Sequence, residues 1–82
     1  MSINSLRSLL DFLNHLKEHN ISHRIEHNRD ESIMVLVVVP GERWEVEFLE
    51  DGRIELEVFR GSSSVVSSTL DDLLHRLAPH SS

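Results

Sequence analysis

Apolar residues recur at Ile3, Leu6, Leu9, Leu10, Leu13 and Leu16, in steps of three and four. That is the spacing of one apolar helix face. It predicts a helix over about residues 4–19, with Asn4 or Ser5 capping its start and Asn20 stopping it. The period then changes to two. In ISHRIEH, Ile21, His23, Ile25 and His27 share one face and Ser22, Arg24 and Glu26 the other, as on an outer strand. NRDE reads as a turn. SIMVLVVV is β-branched and apolar on both parities, the signature of a strand covered on both faces.

PGE turns the chain, and two strands follow in which apolar and charged residues alternate. Trp44, Val46 and Phe48 mark the first; Ile54, Leu56 and Val58 mark the second. GSSSVVSS reads as a serine-rich flexible loop ending in a helix cap. TLDDLLHRL reads as a second helix, with Ser68 or Thr69 capping it and Leu70, Leu73, Leu74 and Leu77 on its apolar face. Residues 78–82 read as a flexible tail. The expected fold is α+β, in the order α-β-β-β-β-α. Short connections favour a four-stranded antiparallel meander, with the helices packed mainly on one face.

Directly opposed residues of a hairpin share a face, so the numbers of each pair must sum to an even value. A two-residue Asp51-Gly52 turn fails that condition, whereas a three-residue Glu50-Asp51-Gly52 loop meets it. Gly52 then takes the left-handed position. The inward pairs become Phe48 with Ile54, Val46 with Leu56, and Trp44 with Val58. The outward pairs become Glu47 with Glu55 and Glu45 with Glu57, opposing like charges. Each such pair costs from a few tenths to about 1 kcal/mol. Arg43, Arg53 or Arg60 could offset part of this from the margins. Trp44 reads as a core residue.

Length and charge narrow the function classes. With 82 residues the chain makes one domain, 1–82. At this size roughly 60% of the unfolded surface is buried, and association commonly adds stability. There is no cysteine, hence no disulfide and no thiolate metal site. The net charge of −6 argues against binding nucleic-acid phosphates and favours a basic partner. Asp11 interrupts the N-terminal apolar pattern, which does not read as a signal peptide. The longest apolar run, Ile33 to Val39, is far short of the ~20 residues of a membrane-spanning helix. The expectation is a soluble, cytoplasmic protein.

The stretch ERWEVEFLEDGRIELEVFR, followed by LDDLL, resembles a motif of small uncharacterised bacterial proteins. In these, a Trp-x-Val-Glu-Phe strand meets an Asp-Gly turn and a second Glu-rich strand. Some relatives look like immunity proteins, which bind and neutralise a cognate toxin. The resemblance spans about a third of the chain. It implies an immunity-like binding role and transfers no functional residue.

Four histidines, His15, His19, His23 and His27, stand four residues apart. The spacing crosses a change of element, so the rings should not converge. His15 falls nearly opposite the leucine stripe and His19 about 40° from His15, both toward solvent at the helix end that attracts positive charge. His23 and His27 are roughly 13 Å apart along a strand. Asp11, His15 and His19 form one row that could offer three ligands to a divalent metal. It has no evident pocket or supporting hydrogen bonds. Serine chemistry lacks a Gly-x-Ser-x-Gly elbow, and no phosphate-binding glycine loop is present.

The apolar strand supplies an outward aliphatic row at either parity. It is either Ile33, Val35 and Val37, extending to Val39, or Met34, Leu36 and Val38. Such a row beside glutamates calls for cover, from the second helix, a second subunit or a partner. The expected interface is Val35, Val37, Glu45, Glu47, Glu55 and Glu57. The resulting expectation is a small non-catalytic protein–protein interaction domain, immunity-like or regulatory, without cofactor. It would bind through an acidic and aliphatic sheet face, as a homodimer or to a basic protein. The alternatives are a metal-binding protein or metal-dependent enzyme using Asp11, His15 and His19, and a mimic of nucleic-acid charge.

Overall fold

A computed structural model describes residues 3–61 and 63–66. Helix α1 (Ile3–Glu18) is followed by strands β1 (Ser22–Arg29), β2 (Ser32–Val39), β3 (Glu42–Leu49), β4 (Ile54–Arg60) and β5 (Ser63–Val66). All neighbouring strands are antiparallel, and the sheet runs β1-β2-β3-β4-β5 in chain order. This is the expected α+β meander, lengthened by one strand. β5 takes four residues of the serine-rich stretch read from sequence as a loop. The predicted second helix and the 78–82 tail lie outside the described residues.

α1 ends where Asn20 takes a positive φ of 54°. The Asn20 amide donates to the Lys17 carbonyl, and the Ile21 amide donates to the Leu16 carbonyl at 2.9 Å. These two bonds satisfy carbonyls the helix end would otherwise orphan, and asparagine is among the few residues that accept the left-handed conformation. Ile21 folds back onto the core beside the helix it closes.

The helix buries the row Ser5, Leu9, Phe12 and Leu16. Phe12 decides this orientation. It is the largest apolar side chain of the helix, is fully buried, and meets Phe48 with ring centroids 5.6 Å apart. Leu6 and Leu10, which a leucine count places on the same face, are pushed to the side and are each 46% exposed.

The rest of the core comes from the inward face of the sheet: Val35, Val37, Trp44, Val46, Phe48 and Val58. Trp44 is core as expected, and its indole N–H donates to Glu42 at 2.8 Å. That bond lets the ring be buried without orphaning its one polar atom.

The β3–β4 register matches the parity argument: Phe48 opposes Ile54, Val46 opposes Leu56, and Trp44 opposes Val58. The loop closes through Leu49 N–H to the Arg53 carbonyl and Gly52 N–H to the Leu49 carbonyl, with Gly52 at φ 94°. Asp51 accepts from the Arg53 amide and guanidinium. Those two bonds, the backbone one first, hold its carboxyl below the usual range.

Candidate outer-face binding site

Register fixes which side chains share the face opposite α1. β2 pairs Met34 with Glu47, Leu36 with Glu45 and Val38 with Arg43. β3 pairs Glu47 with Glu55, Glu45 with Glu57 and Arg43 with Phe59. β1 adds Arg24 beside Leu36 and Glu26 beside Met34. The outward aliphatic row is therefore Met34, Leu36 and Val38. Val35 and Val37, expected at the interface, are fully buried under α1. The reason is pairing: they oppose Val46 and Trp44, whose side chains face the helix. Val38, at the outer row's end, is 57% exposed.

The four glutamates expected to oppose one another do so: Glu45 with Glu57 and Glu47 with Glu55. With Met34 and Leu56 they line a shallow hollow of about 180 Å³. The charges are partly compensated, chiefly by a residue the sequence reading did not single out. Arg29 places its guanidinium 2.7 Å from Glu47 Oε1 and reaches Glu55 at 3.8 Å. The Ser32 hydroxyl donates to the other Glu47 oxygen, Oε2, as does Arg29 Nε.

Burial pushes the Glu47 pKa up, since only 12% of its side chain is exposed. The hydrogen bonds from Ser32 and Arg29 outweigh burial and hold the carboxyl below its ordinary value. The hydrogen bond to Glu47 and the Glu47 charge in turn raise the Arg29 pKa further. Opposed glutamates are thus tolerated because a cation from the far end of β1 sits between two of them.

The arginines expected to help behave differently from one another. Arg43 approaches Glu45 at 3.9 Å and lies over the Phe59 ring, 4.7 Å from its centroid. Arg53 turns to Asp51, and Arg60 turns to Glu42 on the helix side of the sheet. The face carries Arg24, Arg29 and Arg43 against five glutamates, Glu26 included. It is acidic, with aliphatic residues along one side and an aromatic at one end.

The histidines separate as the change of element requires. His23 and His27 stand exposed on β1, and the His23 ring contacts the Ile21 carbonyl. His15 and His19 do meet, edge to face, with centroids 4.4 Å apart. Both are half-buried rather than turned wholly to solvent, because burying Phe12 rotates the helix and brings His15 to the flank of the buried face. His15 Nε2 is buried without a hydrogen-bond partner among the described residues. Asp11 is exposed, and among the described residues no three His, Cys, Asp or Glu side chains are grouped to hold a metal. Nor is any helix among them long and apolar enough to cross a membrane.

No protein-family model, curated protein or solved structure matches the chain.

Proposed function

We propose that the protein is a small non-catalytic interaction domain that binds a basic protein partner through the outer face of its sheet. The observation that carries this reading is the placement of Met34, Leu36 and Val38 beside Glu45, Glu47, Glu55 and Glu57 on the face turned away from α1. The aliphatics supply area to bury, and the carboxylates select and steer a basic surface. Binding by occlusion needs no cofactor. It suits a cytoplasmic regulator or, as the hairpin's resemblance suggests, an immunity-like protein.

A peptide alternating arginine and leucine serves as a stand-in for such a partner. Titrated calorimetrically, it should bind the wild-type chain with an affinity that falls as salt rises. Changing Glu45, Glu47, Glu55 and Glu57 together to Gln should weaken binding by about tenfold or more. Equal affinity for the two proteins would contradict the reading.

A further inference from the structure

The sheet also offers an edge. β1 pairs with β2 along one side and, among the described residues, with no strand along the other. A free edge presents amides and carbonyls ready to template another strand. Proline and lysine, two of the residues that discourage such pairing, are absent from β1, although its C-terminal half carries a bulge. Ile25 lies near the middle of the strand and is 52% exposed.

We infer that β1 pairs antiparallel with β1 of a second copy of this chain, across a two-fold axis at Ile25. Two strands related this way have their axis perpendicular to the sheet, so the helix-bearing faces run on from one copy to the next. Opposed residues then share a face, and the numbers of each pair sum to an even value. That leaves three central registers. An axis at Arg24 sets Arg24 against itself, and an axis at Glu26 sets Glu26 against itself; each opposes like charges.

An axis at Ile25 sets Arg24 of each copy against Glu26 of the other, and the two exposed Ile25 side chains against one another. Arg24 and Glu26 already stand 2.9 Å apart along one chain, so both charges are in place to pair across the axis. The bulge between Glu26 and Arg29 ends the regular stretch at Glu26, leaving a short regular ladder over residues 24–26 about the axis. The contact uses the backbone edge of β1; Arg24 and Glu26 stand at the margin of the outer face, but the inference does not depend on that face binding anything.

Sedimentation equilibrium of the full chain tests the pairing. A one-strand contact is at the small end of interface sizes, so loading should reach on the order of hundreds of micromolar. The wild-type chain should then show a dimer. R24E and E26R should each raise the dissociation constant about tenfold or more, because each opposes like charges twice. An equimolar mixture of the two should recover the dimer, since the glutamates of one then meet the arginines of the other. I25K is a second probe, placing two ammonium groups at the axis. Ile25 faces the helix side, so this variant separates edge pairing from stacking of outer faces. Circular dichroism checks that each variant is folded. A monomeric wild type, an unaltered dimer in I25K, or a mixture no more associated than its components would overturn the inference.

Discussion

At Glu47 three strands meet, for Arg29 of β1 and Ser32 of β2 both donate to a carboxylate of β3. Its pKa in the folded chain lies below the ordinary 4.5. The stabilisation it contributes is therefore present above pH 4.5 and is lost as pH falls through the folded value. E47Q should be less stable at neutral pH by about 1 kcal/mol or less, since Arg29 stands in solvent and the pair is screened. The gap should close below pH 4.5, as urea unfolding at the two conditions would reveal. A gap constant with pH would mean that the charge of Glu47 is not what Arg29 and Ser32 hold.

Phe12 belongs to the same scale. F12A should cost about 3–5 kcal/mol, enough to unfold much of a domain this small. Neither Phe12 nor Arg29 stands out in the sequence. Phe12 was masked by a more numerous leucine pattern. Arg29 sits in the turn signal NRDE, and only the strand register brings it to Glu47, 18 residues away.

The β3–β4 hairpin is legible in the sequence because parity leaves few registers once both strands alternate. Gly52 is its local test. A Cβ there would meet nothing closer than Ser5 Oγ at 3.7 Å, so space is available, but φ is 94°. G52A should therefore cost about 1–2 kcal/mol from backbone strain alone, measurable by thermal or urea unfolding. β2 was harder to read. Being apolar at both parities, it carries no internal signal of which side faces the helix, and only its pairing with Trp44 and Val46 decides. β5 was missed for a related reason. Serine-rich composition argues for a loop, while strand formation at Ser63–Val66 comes from pairing with β4.

For the whole molecule, the layers divide the chain's chemistry. The side under α1 holds the apolar core with the Glu42–Arg60 pair at its margin, while the other side carries opposed glutamates, a shared arginine and an aliphatic row. The candidate face was legible in its acidic half, because the glutamates follow from the hairpin register. Its aliphatic half was not, because that depended on the parity of β2. The His15–His19 pair has no third ligand beside it among the described residues. Native mass spectrometry of untagged protein should show the metal-free mass. One stoichiometric zinc or nickel ion, lost in H15Q, would instead assign His15 and His19 a ligand role.

Methyl-resolved NMR during titration with the arginine–leucine peptide tests the central claim most directly. The account predicts the largest shifts at the methyl groups of Met34, Leu36 and Val38, with Leu6 and Leu10 on α1 unmoved. Shifts concentrated at Leu6 and Leu10, with Met34, Leu36 and Val38 unmoved, would contradict it.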